Sequence, residues 1–384
     1  MKKKLLSILL ILAMVFCFAA CGGNDEPAGD DQGAAEGGDT AVVNYDDIED
    51  NCESADGTYQ IAMVTDVGML KDGSFNQFTW NGCKAYASEN GKTYKYYQPA
   101  NADKATDADR IKAMTDACEA GAEVLVTPGF LQATALAEVA PKFPEVQFVF
   151  IDGWDMGIDN IVSVSYQEEQ AGYFAGYAAV MEGYTKLGYS GGGGGTNPAC
   201  IKYGYGFAQG ANAAAAAKDV KVEMRYSWEH GASFSDSPEL TAMLKGWYDA
   251  GTEAIFVAGG SMFNSGKDAA ETAEAALIGV DVDQSSQSEA VVTSAMKDLA
   301  GSVISTLDKY YTGGALLNGA ITLGAADNAV GIPTDTWSLE NWTVEEYNAL
   351  YEQVKSGEIV VDNDSTKAAA DPSTKGLDNI EFVK

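Results

Sequence analysis

Three aspartates stand directly after short β-rich runs of the chain, and their carboxylates are well placed to contact a ligand. They are Asp66, Asp152 and Asp281. Where such runs form parallel strands, the side chains beyond their carboxyl ends face a crevice at one edge of the sheet. A carboxylate accepts two O–H hydrogen bonds from neighbouring hydroxyls, so this set suits a small polyhydroxylated molecule. Catalysis by paired carboxylates stays open as the alternative chemistry.

An aromatic residue and an amide follow the first of these aspartates. Ser74 is placed to cap a helical pattern, which puts Phe75 and Asn76 in the first turn of that helix. An aromatic face beside an amide suits a flat heterocycle, because the ring stacks while the amide reads the edge of the heterocycle. The alternative is that Phe75 belongs to the core.

Other motifs exclude several kinds of site. His230 is the only histidine, which excludes a His-pair metal site and a proton shuttle between two histidines. Gly191–Gly195 lacks the Lys-Ser/Thr of a phosphate loop, and Gly204–Gly210 has three residues between its last glycines rather than two. Asp281–Ser285 begins like a calcium loop but lacks the central Gly and terminal Glu. We therefore predict no cofactor and no metal site.

Short apolar runs alternate with amphipathic helical patterns from residue 60 onward. The predicted strands are 60–65, 94–98, 123–127, 146–151, 186–190, 220–226, 254–258 and 277–280. The predicted helices include 75–90, 105–120, 131–142, 168–182, 237–250 and 269–276. Repeated β–α units of this kind form parallel sheets with right-handed crossovers.

The two series of β–α units predict an α/β protein with two doubly wound, Rossmann-like lobes joined by hinge crossings. We expect lobe one to comprise residues 58–164 with about 291–320, and lobe two residues 165–290 with about 321–384. The 384 residues are too many for a single ordinary core, which agrees with two lobes.

The N-terminus reads as a bacterial lipoprotein signal. Three lysines precede an apolar run over 5–18, and two alanines then precede Cys21. Residues 1–20 are the predicted signal peptide, and 21–57 the lipid-bearing Cys21 followed by a disordered acidic tether with twelve Asp or Glu and no Lys or Arg. An ordinary signal peptide or an N-terminal membrane helix is the alternative. The lipoprotein interpretation places the protein at the cell membrane, anchored by lipid on its extracytoplasmic face.

Charge and cysteine content limit the partners. The formal charge of −32 repels phosphate backbones, so we expect no nucleic acid partner and a small ligand that is neutral, cationic or zwitterionic.

Cys83 and Cys118 lie in helical patterns and are expected to be buried apolar residues. Disulfide pairing among Cys52, Cys83, Cys118 and Cys200 does not follow from their spacing.

A set of motifs in this chain resembles the basic membrane protein family (PnrA-like), whose members are substrate-binding lipoproteins of ABC transporters for nucleosides. The residues that carry the resemblance are 63–68, 72–76, 150–152, 171–176, 204–211, 278–284 and 292–297. They keep the family's order and span roughly residues 60–310. Met69 departs from the pattern where the family often has a second glycine, and 261–263 replaces a smaller Gly/Thr-rich turn.

The resemblance implies a type I periplasmic-binding protein fold and a role for each matching residue. Phe75 would stack on the base, and Asp66, Asn76 and Asp152 would bind its edge or line that pocket. Asp281 and Lys297 would hold the ribose hydroxyls. The glycines 259 and 260 would let the backbone approach the ligand, and the second stacking aromatic would be Phe207 or Phe263. All candidate ligand-binding residues are thus Asp66, Phe75, Asn76, Asp152, Phe207, Gly259, Gly260, Phe263, Asp281 and Lys297.

The function implied is a binding protein rather than an enzyme. It would capture a nucleoside, with a purine base expected, between the lobes and deliver it to an ABC transporter permease. The same fold binding a sugar such as ribose, or another small polar metabolite, is the first alternative. An extracellular nucleoside hydrolase that uses clustered aspartates with a metal is the remote one.

Overall fold

The structure is a computed structural model that describes residues 44–67 and 69–384. The predicted signal peptide, Cys21 and the tether as far as residue 43 lie outside the described residues. No helix within the described ranges is both long and apolar enough to cross a membrane.

The described residues form an alternating series of strands and helices. The strands are β1 (Ile61–Val64), β2 (Tyr94–Tyr97), β3 (Val124–Pro128), β4 (Gln147–Ile151), β5 (Ile161–Tyr166), β6 (Lys186–Gly191), β7 (Val222–Ser227), β8 (Ala254–Ala258), β9 (Ala276–Asp281), β10 (Val291–Lys297), β11 (Gly319–Leu323), β12 (Val330–Gly331) and β13 (Ile380–Val383). The helices are α1 (Phe75–Glu89), α2 (Asp107–Glu119), α3 (Ala133–Val139), α4 (Glu168–Glu182), α5 (Pro198–Lys218), α6 (Pro238–Asp249), α7 (Met262–Ala273), α8 (Leu299–Gly313) and α9 (Val344–Lys355).

The strands of the described chain form two sheets. The first has the order β11-β5-β4-β3-β1-β2, and all its pairs are parallel. The second has the order β12-β10-β9-β8-β6-β7-β13, with only the short β12 antiparallel to its neighbour. The central strands β1, β3, β4, β8 and β9 are buried along their whole length, as expected where helices cover both faces of a sheet. The predicted α/β architecture of two doubly wound lobes is confirmed.

The chain crosses between the lobes later than the sequence predicts. Residues 291–297 form β10, which pairs with β9 and therefore belongs to the second sheet. The chain then returns to the first lobe through α8 and β11 and leaves it after Leu323, the last residue of β11. The crossings thus follow Tyr166, Lys297 and Leu323. The predicted boundary at about 291 is wrong by one strand, because an apolar run does not show which sheet it joins.

Residues 44–57 are an ordered part of the first lobe, contrary to the predicted tether. The buried amine of Lys84 donates to the carbonyl of Ile48 at 3.0 Å and to the carboxylate of Asp50 at 3.2 Å. The indole of Trp80 donates to the carbonyl of Asp50 at 3.0 Å, and Cys52 and Tyr94 exchange hydrogen bonds at the edge of β2. The acidic composition of the segment indicated disorder, because composition does not show specific contacts such as these with α1 and β2.

Two helices of the second lobe pack at unusually close range. A Cβ at Gly206 of α5 would lie 2.1 Å from the carbonyl oxygen of Glu169 in α4, and one at Gly210 would lie 1.9 Å from that of Tyr173. The glycine-rich run 204–210 therefore lets two helix backbones touch. Sequence analysis did not recognise it as helical.

The burial of two cysteines agrees with the sequence analysis, whereas the start of one helix does not. Cys83 and Cys118 are buried, and none of the four cysteines among the described residues forms a disulfide. Helix α7 begins at Met262, seven residues before the predicted start, and ends before β9.

Candidate functional site

A cavity with an empty volume of about 640 Å³ lies where the carboxyl ends of the strands of both sheets meet. The first lobe contributes the loops after β1, β3 and β4, and the second lobe contributes the ends of β8, β9 and β10, the start of α5 and the loop after β7. Eight of the predicted site residues line it: Asp66, Phe75, Asn76, Asp152, Gly259, Gly260, Asp281 and Lys297. Residues more than two hundred positions apart in sequence are thus brought to one site.

The two aromatics proposed as the second stacking partner lie elsewhere. Phe207 is fully buried between α5 and the second sheet, with its ring 5.4 Å from that of Phe256. Phe263 is 1% exposed and packs in a core cluster with residues of α6 and β8. Both residues serve the core of the second lobe because each is on the helix face that covers the sheet.

Phe234 lines the cavity instead. It lies in the irregular loop after β7, in a left-handed backbone conformation with φ of +58°. Its carbonyl accepts hydrogen bonds from the N–H of Met262 and the hydroxyl of Ser261, both at 3.3 Å, which ties the loop to the start of α7. The residue lies seven positions beyond the strand, and its only sequence signal was an aromatic in a polar loop at the carboxyl edge of the sheet.

Asp281 is the point at which several side chains meet. Its carboxylate accepts hydrogen bonds from the hydroxyl of Ser74 in the first lobe at 2.7 Å and from the phenol of Tyr203 at 3.3 Å. The backbone of Asp281 has φ of +67°, and that of Asp152, at the matching strand end of the first lobe, has φ of +56°. Aspartate tolerates this conformation better than most residues, and such strain is often found at ligand sites.

Lys297 is the cation of the cavity and is almost completely buried. Its ammonium lies 2.7 Å from Asp152 of the first lobe, 3.5 Å from Asp281 and 3.7 Å from Glu168. Burial lowers the pKa of Lys297, but the facing carboxylates raise it by more, so the net shift is upward and the amine stays charged. The ammonium also lies 4.8 Å from the ring centroid of Phe75.

Two carboxylate oxygens in the cavity have no hydrogen-bond partner among the described residues. They are Oδ1 of Asp66 and Oδ1 of Asp152, and both are buried. Burial raises the pKa of Asp66 to about 7, with Arg110 opposing the shift and Asp152 adding to it. Burial also raises the pKa of Asp152, although Lys297 opposes this. Buried polar atoms are normally satisfied, so these oxygens are acceptors available to a ligand.

Asn76 shapes the loop that carries Asp66. Its side-chain oxygen accepts the N–H of Asp66 at 2.9 Å, and its amide donates to the carbonyl of Val67 at 3.2 Å and to Asp72 at 3.1 Å. The carboxylate of Asp72 in turn accepts the backbone N–H groups of Ser74, Asn76 and Gln77. Asn76 lines the cavity, but its polar atoms already hold Asp66 in position.

The described residues that line the cavity are therefore rich in hydrogen-bond acceptors, include one buried cation and supply aromatic rings from both lobes. Such a site suits a ligand with a flat ring and several O–H or N–H donors. The residues that line it come from both lobes, so a bound molecule contacts both.

Comparison with known proteins gives an independent view of the chain. Residues 59–365 match the family model described as ABC transporter substrate-binding protein PnrA-like. The ABC transporter nucleoside-binding protein BmpA of Lactococcus lactis subsp. cremoris is 27% identical over 303 residues, which cover 70% of this chain and 82% of the relative. An uncharacterized lipoprotein of Pyrococcus abyssi is 25% identical over 293 residues, which cover 73% of this chain and 69% of the relative.

A solved structure supports the fold. The ABC transporter solute-binding protein of Aeropyrum pernix K1 superposes with a TM-score of 0.67 at 20% identity, covering 84% of this chain and 99% of that one. At this identity the likeness concerns the fold, and it agrees with a type I periplasmic-binding architecture.

Proposed function

The chain belongs to the PnrA-like family of ABC transporter substrate-binding proteins, and from that premise we propose that it captures a purine nucleoside between its two lobes. Membership of the family implies a small-molecule ligand and a transporter permease as partner. The family model describes substrate-binding proteins and the Aeropyrum pernix structure is of a solute-binding protein, which supports a role in which the ligand leaves the site unchanged.

One observation carries the proposal: Phe75 of the first lobe and Phe234 of the second line the same cavity as Asp281. A planar base stacks on aromatic rings, and base–aromatic stacking is worth roughly 1–3 kcal/mol per base. A pentose has no flat ring of this kind. The two aromatics therefore favour a nucleoside over ribose alone.

The polar groups divide between the base and the pentose. Asp281 and Lys297 are adjacent and offer an acceptor and a donor to the 2′- and 3′-hydroxyls. The unpartnered oxygens of Asp66 and Asp152 are acceptors for N–H groups on the edge of the base. A 6-oxopurine such as hypoxanthine presents an N1–H donor of this kind.

We further propose that Cys21 carries lipid and holds the protein on the outer face of the cell membrane. The apolar run and the small residues before Cys21 support this, as does the similarity to a lipoprotein of Pyrococcus abyssi. Replacement Cys21→Ala is expected to move the protein from the membrane fraction to the soluble fraction. Retention of the variant in washed membranes would argue for another anchor.

A ligand panel tests the nucleoside assignment. Thermal unfolding of the purified chain is measured with inosine, guanosine, adenosine, uridine, hypoxanthine and ribose, and hits are measured by calorimetry. We expect the purine nucleosides to raise the unfolding midpoint and ribose or the free base to do so far less, because each fills half of the site. A larger shift with ribose than with any nucleoside would favour the sugar-binding alternative.

The same samples separate binding from hydrolysis. Prolonged incubation with inosine is expected to yield no hypoxanthine by chromatography. Sustained release of the free base, in proportion to protein concentration, would contradict a pure binding role.

A further inference from the structure

A contact between the lobes lies beside the ligand cavity. Its acceptor is the backbone carbonyl of Gly73, in the first-lobe loop that leads into α1. The side-chain amide of Gln287, from the second lobe, donates to this oxygen at 2.9 Å, and that of Gln284 donates at 3.2 Å. We propose that this contact, which we name the Gly73 latch, holds the cleft closed and sets how long a ligand stays bound.

Gln284 is held ready for this contact by its own lobe. The residue is fully buried, its side-chain oxygen accepts the N–H of Val280 at 2.9 Å, and its backbone N–H donates to the hydroxyl of Ser294 at 3.1 Å. These bonds fix the amide so that its N–H group faces the first lobe. Little side-chain entropy is lost when the latch forms, because the donor is already ordered.

Gly73 fits the latch in a way that a larger residue would not. Its φ is +64°, and a Cβ at this position would lie 2.7 Å from the side-chain oxygen of Gln287. Its own N–H donates to the side chain of Gln77 at 3.0 Å, which orders the loop from the first-lobe side. The glycine therefore supplies both the turn and the space for the glutamine.

The latch is coupled to the ligand site through Ser74, the residue that follows Gly73. Ser74 donates to the carboxylate of Asp281 at 2.7 Å, and Asp281 lines the cavity. Neither glutamine is among the described residues that line the cavity. Gln284 and Gln287 are thus positioning residues: they stabilise the closed form without touching the ligand. A contact made only in the closed form lowers the rate at which the cleft reopens.

The experiment compares Gln287→Glu and Gln287→Ala with the parent chain. Gln287 is half-buried, so both variants are expected to fold. Both lose the N–H donor, and glutamate keeps the shape. The rate of inosine dissociation is measured by stopped flow, and the distance between the lobes by spin labels on exposed positions of each lobe. We expect dissociation about threefold to tenfold faster in both variants, with the association rate little changed, and a smaller closed fraction.

Gln209→Glu is the matched control. The amide of Gln209 also donates to a backbone carbonyl, that of Asp362, at 3.0 Å, but both residues lie in the second lobe. Dissociation and lobe distance in this control are expected to match the parent. The latch is refuted if Gln287→Ala keeps the parent's dissociation rate and closed fraction, or if only the glutamate variant changes, since charge repulsion would then explain the effect.

The latch rests on the proposed function only in that inosine serves as the probe ligand. If the parent chain binds no nucleoside, the proposed function fails, and the lobe distances of the ligand-free parent and Gln287→Ala still decide the latch. An unchanged distribution would overturn it, and a loss of closed molecules in the variant would support it.

Discussion

Phe75 and Phe234, the two phenylalanines among the described residues that line the cavity, come from different lobes, so each can be replaced without changing the other. Phe234→Ala is expected to weaken inosine binding by roughly 1–3 kcal/mol because one stacking face is lost. Calorimetry of Phe234→Ala and Phe234→Tyr checks this, since tyrosine keeps the ring and is expected to keep most of the affinity. Equal affinity in the alanine variant and the parent would remove Phe234 from the site.

The carboxyl group of Asp66 is expected to make inosine binding depend on pH. Its pKa of about 7 without ligand falls when a base N–H donates to the ionised form. The contribution to affinity is therefore complete above about pH 7 and is lost as pH falls. Inosine binding is expected to weaken by roughly tenfold between about pH 8 and about pH 5.5.

Asp66→Asn separates this group from the other acids near the cavity, which include Asp72 and Asp152. The variant is expected to bind inosine more weakly at about pH 8 and to lose most of the pH dependence. Affinity that rises on acidification would mean that a protonated Asp66 donates to the base instead, and would contradict the assigned direction of the hydrogen bond.

At the scale of elements, the ordered segment 44–57 supports the loop that forms the ligand site. Asp50 bridges Lys84 of α1 and Lys71 of the loop after β1, at 3.2 Å and 3.0 Å. A chain that starts at residue 58 loses these contacts and the hydrogen bonds to Trp80 and Tyr94, each worth about 1 kcal/mol. Its unfolding midpoint is expected to fall by roughly 5–10 °C relative to a chain that starts at residue 44.

Calorimetric scanning of the two truncated chains makes this comparison directly. The same midpoint in both would show that the segment packs on the lobe without stabilising it. If the chain that lacks residues 44–57 keeps its midpoint but binds inosine more weakly, the segment supports only the loop after β1.

How much of the architecture could be predicted depends on the kind of element. The strand Ala254–Ala258 and the helix Glu168–Glu182 have the predicted bounds, because a buried parallel strand is a continuous apolar run and a glycine ends that helix. Helix α5 was missed because its glycines serve contact with α4 and lower its intrinsic helix propensity.

The residues of the candidate site also differ in how far the sequence could predict them. Asp66, Asp152 and Asp281 could be placed because they follow strands directly, so the topology alone brings them together. Phe234 could not, since the course of an irregular loop depends on partners such as Ser261 that are distant in sequence. Lobe assignment of β10 failed for a related reason: strand pairing is a long-range choice that local pattern does not encode.

At the scale of the whole molecule, we expect closure of the lobes to depend on one cation. Lys297 of the second lobe lies 2.7 Å from Asp152 of the first and within 4 Å of Asp281 and Glu168. Without the ammonium, the three carboxylates lose their shared cation and only Glu168 keeps one, Lys202 at 3.2 Å, and like charges at this range repel strongly. Lys297→Met is therefore expected to abolish inosine binding and to hold the lobes apart.

Small-angle scattering with inosine present measures this opening as a larger radius of gyration than in the parent. Lys221→Met is the matched control, because its amine bonds only Asp378 and Asn379 on the second lobe among the described residues. Burial raises the pKa of Asp152 to about 7 even beside Lys297, and loss of the ammonium raises it further, so the opening is expected to grow as the pH is raised toward about 9 and to disappear as acidification protonates Asp152. A variant that is as compact as the parent even at about pH 9 would show that direct contacts such as Ser74 with Asp281 close the lobes without help from this charge.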